Sequence, residues 1–172
     1  MSVRYVALLR AVNVGGRVVK MDQLRGIFES LRFGNVSTLI TSGNVIFDAR
    51  QAPPALEALI ERRLKKDLGY SVITFVRTID EIKDVVEHQP FGPAPEGTQY
   101  VAFLKDKPAP AAARSLVACS NDIDRFSVHG REAYWLTGGG FRNSTFSGAK
   151  LEKLLGPATS RNINTVRKLA TR

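Results

Sequence analysis

The amino-acid sequence predicts an α+β fold in which one order of strands and helices is run through twice, and three observations carry that prediction. The apolar run Tyr5-Val6-Ala7-Leu8-Leu9 reads as a strand covered on both faces, and therefore as a central one. Helical stripes alternate with short β-branched and aromatic runs as far as Val76. A second succession of the same kind follows the break at Gln89-Pro90-Phe91-Gly92-Pro93.

The first strand leads into Arg10-Ala11-Val12-Asn13-Val14-Gly15-Gly16, a polar loop closed by two glycines. Met21 to Arg32 places Leu24, Ile27, Phe28 and Leu31 at i, i+3, i+4 and i+7, the stripe of a helix on a sheet, and Gly34 stops it. Val36 to Asp48 holds two β-prone runs separated by Ser42-Gly43-Asn44, which predicts a hairpin. Pro53 and Pro54 open a second helix with Leu56, Leu59, Ile60 and Leu64 inward and an outward Glu61–Lys65 pair, ending near Gly69. Ser71 to Val76 is the next strand, so the order from Tyr5 to Val76 is βαββαβ, a ferredoxin-like unit.

Thr78-Ile79-Asp80-Glu81 then has the form of a capping box for a short helix. Past the proline-rich break come a strand at Tyr100 to Leu104, a helix at Ala111 to Ala118 and a hairpin from Asp124 to Leu136 turning at Gly130. A helix at Ser147 to Leu155 is closed by Gly156-Pro157. This second pass reads βαββα, its last strand short or missing, and Ile163 to Leu169 forms a terminal helix capped by an Asn. The expected architecture is a duplicated ferredoxin-like fold. Residues 1–90 form one half and 91–172 the other with the carboxyl-terminal helix, packed as one compact unit whose tail crosses back to the first half.

At 172 residues and 44% hydrophobic the chain can bury a sizeable core, which argues against disorder. One cysteine, Cys119, rules out a disulfide within the chain and fits a reducing cytoplasm. With His88 and His129 it is too small a set for a structural zinc site, and acidic residues do not cluster at ligand spacing, so neither metal nor cofactor is expected. No Walker loop or dinucleotide fingerprint occurs, and neither a leader nor an apolar run of spanning length is visible, so no membrane partner is expected. The net charge of +9 is unevenly placed: residues 138–172 hold seven basic side chains (Arg142, Lys150, Lys153, Arg161, Arg167, Lys168, Arg172) against Glu152 alone. Such a block attracts phosphates, although a solvated surface explains it equally.

Three stretches together carry a resemblance. Leu8 to Gly16, then Ser42-Gly43-Asn44-Val45-Ile46-Phe47, then Arg161-Asn162-Ile163-Asn164-Thr165-Val166 are similar, in this order and over the whole chain, to the domain-of-unknown-function family 1697. Ala11 stands where that family usually has Gly, and Ile163 where it has an aromatic, commonly Trp. The resemblance implies a two-part α+β domain and brings no established reaction.

The candidate binding residues come from these stretches: Arg10, Asn13, Gly15, Gly16, Ser42, Asn44, Arg161, Asn162 and Asn164, with Lys150 from the basic block. Guanidinium and carboxamide donors suit an anion or a base edge, and outward N–H groups at paired glycines do the same. The set lacks an acid–base pair for proton transfer, and no catalytic residue is assigned. Capping and turn-tying explain the same residues without a ligand. The leading expectation is recognition of a phosphate-bearing partner, nucleic acid first. The alternatives are an enzyme acting on a small phosphorylated or carboxylated metabolite, and a protein-interaction module. Convergence of Arg10, Asn13, Asn44, Arg161 and Asn162 on one anion site is the sharpest form of the first. Gly138-Gly139-Gly140 before Phe141-Arg142-Asn143 is a candidate closing loop.

Overall fold

The computed structural model describes residues 1–13, 15–40, 43–138 and 144–172. In chain order the elements are β1 (Val3–Leu9), α1 (Met21–Glu29), β2 (Gly34–Thr38), β3 (Asn44–Ala49), α2 (Pro53–Leu68), β4 (Thr74–Thr78), α3 (Ile79–Glu87), β5 (Thr98–Leu104), α4 (Pro110–Val117), β6 (Asp124–His129), β7 (Glu132–Thr137), α5 (Gly148–Leu155), β8 (Ala158–Asn162) and α6 (Ile163–Ala170). The chain divides into two compact units, Met1–Ile82 with Leu169–Arg172, and Lys83–Lys168. Each carries a four-stranded antiparallel sheet, ordered β2-β3-β1-β4 in the first and β6-β7-β5-β8 in the second.

In the first unit β1 lies between β3 and β4, pairing Val6 with Ile46 and with Arg77. Its residues from Tyr5 to Leu9 are all buried, as a run without alternation requires. One face, with Tyr5, Ala7, Leu9, Val45, Phe47 and Val76, meets the apolar stripes of α1 (Leu24, Ile27, Phe28) and α2 (Leu56, Ile60, Leu64). Phe47 anchors this layer: its ring stacks on Phe33 at 4.6 Å and meets Phe28 edge-on at 5.5 Å. Burying one such side chain contributes about 1.5–3 kcal/mol.

Glu61 is turned to the sheet, not outward toward Lys65. Its carboxylate accepts from the Thr74 main-chain N–H at 2.9 Å, and Glu57 accepts from that of Val76 at 2.9 Å. β4 is an edge strand, so these N–H groups have no ladder partner on that side, and the helix supplies acceptors in its place. The capping box forms as its spacing predicts: Thr78 Oγ1 accepts from Glu81 N–H at 3.1 Å and Glu81 from Thr78 N–H at 2.8 Å.

The second unit buries Ala102, Leu104, Phe126, Ala133 and Trp135 beneath α4 and α5. The strand expected to be short or missing is present as β8, paired with β5 from Tyr100–Asn162 to Leu104–Ala158. Its residues Ala-Thr-Ser-Arg-Asn carry little β-branched signal, and pairing with β5 overrides that weak propensity. The order of the second unit is therefore βαββαβ, with α6 beyond it. Trp135 fills the core and donates its ring N–H to Asp124 at 2.8 Å, and the same buried carboxylate accepts from Ser144 Oγ at 2.6 Å.

Candidate functional site

The loop after β1 is held from three sides within its unit. Arg10 N–H donates to Ile73 O at 2.9 Å and Leu9 N–H to Gly43 O at 2.8 Å. Tyr70 donates its hydroxyl to Val12 O at 2.9 Å. Gly43 sits at φ +77°, where an added Cβ would lie 2.9 Å from Val12 Cγ1 and 3.1 Å from Leu9 Cβ. Only glycine meets both demands, the left-handed backbone and the close approach. The second similarity stretch thus builds the seat of the first.

Arg10, Gly15 and Ala11 line one recess of about 480 Å³ together with Arg17, Ser71 and Ile73. The Arg17 guanidinium lies 4.2 Å from the centroid of the Tyr70 ring, an arrangement that orders an otherwise exposed arginine. Two arginines and a serine therefore line a single hollow at the end of the central strand. Asn13 accepts from Val19 N–H at 2.6 Å through Oδ1, and so shapes the loop. Asn44 is fully buried and donates to Leu39 O at 3.0 Å. Ala11 is left-handed at φ +53°, a conformation that glycine takes without steric cost.

In the second unit Arg161 is 7% exposed, with NH1 donating to Thr159 Oγ1 at 2.7 Å and to Ser160 O at 2.9 Å. Burial pulls its pKa down to about 10, so it stays charged at neutral pH. Asn162 accepts from Asn164 N–H at 2.9 Å, and Asn164 accepts from Arg167 at 3.1 Å. Asn162 and Asn164 line a recess that also takes in Arg167. Lys150 is exposed in the first turn of α5, its ammonium 5.6 Å from the Phe146 ring. Ser42, and the loop from Gly139 to Asn143, lie outside the described residues. Among the described residues no group of three His, Cys, Asp or Glu is placed to hold a metal, and no helix is long and apolar enough to cross a membrane.

Sequence reasoning overlooked Arg17, Tyr70 and Ser71, whose only local signal is adjacency to Gly16 and Gly69, and their pairing is tertiary. It also overlooked Arg77, fully buried in β4, where a lone charge between Val76 and Thr78 was the available sign. His88 and His129, weighed from the sequence only as metal ligands, stack on each other with ring centroids 4.1 Å apart.

Two antiparallel sheets covered by helices, with an arginine-lined recess at the end of a central strand, define a mixed α/β protein. The model of the family described as protein of unknown function (DUF1697) matches residues 2–134, and the chain belongs to that family. The matched span stops short of Arg161-Asn162-Ile163-Asn164. Among solved structures, the conserved bacterial protein SP0830 from Streptococcus pneumoniae is similar at a TM-score of 0.76 and 18% identity, over 99% of this chain and 98% of that one. No curated protein matches the chain.

Proposed function

We propose that this chain binds a phosphate-bearing partner, nucleic acid first, with the Arg10–Arg17 recess as the seat of one phosphate. The observation that carries this reading is the pair of arginines lining one hollow beside left-handed Gly15, with the Arg17 guanidinium held over Tyr70. Guanidinium groups offer forked donors to phosphate oxygens, and an ordered arginine loses less freedom on binding. The basic residues Lys150, Lys153, Arg167, Lys168 and Arg172 supply the longer-range attraction. Fluorescence anisotropy with labelled single-stranded RNA and DNA at several salt concentrations tests it. Binding weakens steeply as salt rises, and replacing Arg10 and Arg17 together by Gln lowers the salt slope by about 1.4, two contacts at about 0.7 each. Absence of binding at low salt for both polymers refutes it.

We also infer that the two units are copies of one ferredoxin-like βαββαβ element. Three correspondences support this. The sheets follow the same order, second-third-first-fourth strand of each unit. Tyr5-Val6-Ala7-Leu8-Leu9 and Tyr100-Val101-Ala102-Phe103-Leu104 occupy matching registers, with Val6 opposite Arg77 and Val101 opposite Arg161. Glu61 accepts from the N–H of Thr74, the partner of Leu9, and Glu152 from that of Ala158, the partner of Leu104. Ferredoxin-like sheets that bind RNA lend the nucleic-acid reading its support by analogy.

A further inference from the structure

We propose that the nucleic acid taken by the Arg10–Arg17 recess is single-stranded, and that one unpaired base lies on the Arg17 guanidinium, which is then sandwiched between that base and the Tyr70 ring. This rests on the reading of the recess as a phosphate seat and narrows it to one form of the polymer. The guanidinium carbon of Arg17 sits 4.2 Å from the centroid of the Tyr70 ring, so the ring takes one side of the planar group. Arg17 is otherwise exposed and makes no ion pair with any described residue, so its charge is not spent on a carboxylate of the chain. The main chain on either side of it is set as well. Gly15 and Gly16 turn it through left-handed φ values of +66° and +79°, and Val19, buried at 7% exposure, has its N–H held by Asn13 Oδ1 at 2.6 Å. An arginine fixed by a ring and by its backbone is a platform prepared before any ligand arrives.

The lining of the recess is the second observation. Besides its arginines it presents Ala11 and Ile73, apolar surface for which a phosphate has no use, and the single hydroxyl of Ser71. Its volume of about 480 Å³ lies within the range of roughly 300–1,000 Å³ that small-ligand pockets occupy. A guanidinium has two separate ways to bind: its edge donates N–H groups to phosphate oxygens, and its flat face stacks on an aromatic ring. One nucleotide offers a partner to each, and bases stacked on arginine planes recur in the recognition of unpaired strands. A duplex cannot use the face, because its bases are covered above and below by their neighbours and show only their edges in the grooves. Stacking is open to every base, so the site discriminates strandedness far more than sequence.

The test is a fluorescence titration of the full chain with three probes: a single strand carrying 2-aminopurine, the same strand paired with its complement, and a strand of equal length whose sugars and phosphates remain but whose bases are removed. The 2-aminopurine emission of the single strand should change saturably, since that base reports its own stacking. The base-bearing single strand should bind at least about fivefold more tightly than the abasic one, the lower end of what one stacked base contributes, and more tightly than the duplex. Arg17→Lys keeps the charge and loses the plane. It should close the gap between the base-bearing and abasic strands while the salt slope holds, because the phosphate contacts keep their number. Equal affinity for the base-bearing and abasic strands, preference for the duplex, or a gap that survives Arg17→Lys overturns the stacked base and leaves the phosphate seat standing. Absence of binding by all three probes at low salt overturns both.

Discussion

Ala11 and Gly43 show how narrowly the loop after β1 is specified. Ala11 holds φ +53°, which costs an L-residue about 1–2 kcal/mol relative to the right-handed region. Glycine removes that cost but adds about 0.5–1 kcal/mol of unfolded-state freedom. Ala11→Gly should therefore stabilise the protein by about 0.5–1 kcal/mol in urea unfolding, and a loss of stability would show that Ala11 carries no strain. Gly43→Ala should act the opposite way. It meets Val12 and Leu9 within 3.1 Å as well as a left-handed backbone, and a destabilisation of about 2–5 kcal/mol follows from summing overpacking and conformational cost.

The two edge strands β4 and β8 depend on helices for their outward N–H groups. Glu57 and Glu61 serve β4, and Glu152 serves β8 at 3.1 Å. Alanine at any one of these positions leaves a main-chain donor without its charged acceptor, and should cost about 1–2 kcal/mol. Hydrogen exchange at Thr74, Val76 and Ala158 measures the effect locally, and unchanged protection would mean that water replaces the carboxylate at no cost. The histidine stack on the second sheet predicts a pH response. His88 packs against His129 of β6 and Tyr134 of β7, and its pKa is lowered by burial and then by the His129 charge. The unfolded chain thus binds a proton more readily than the folded one. Stability from this group is present above the ordinary value of 6.5, falls as pH drops through it, and levels off below the lowered folded-state value. Thermal melts of the protein and of His88→Gln between pH 8 and 5 should diverge in that sense, and parallel curves would contradict it.

Arginines with one chemistry have several positions in this chain, and variants separate their roles. Arg10→Gln and Arg17→Gln alter a half-buried and an exposed side chain that line the first recess, so the melting temperature should hold while anion binding weakens. Arg161→Ala removes a buried side chain bonded to Thr159 and Ser160, and should destabilise the fold by about 2–4 kcal/mol, the range of large-to-small changes in cores. A stable Arg161→Ala protein with weakened phosphate binding would reverse that assignment. Arg77 in β4 is more deeply buried still.

Read alone, the residues settle what local rules control. The buried central strand, the helix stripes, the Thr78–Glu81 box and the hairpin turn at Gly130 were legible because periodicity, capping and left-handed turns act within a few residues. The candidate loop was legible in Arg10 and Gly15 for the same reason. Folding decided the rest. β8 exists because β5 offers it a ladder, Glu61 turns inward because an edge strand needs its oxygen, and Arg17 meets Tyr70 across more than fifty residues. Those pairings depend on which segments the two sheets bring side by side, and neither residue of a pair carries in its own neighbourhood any mark of its partner.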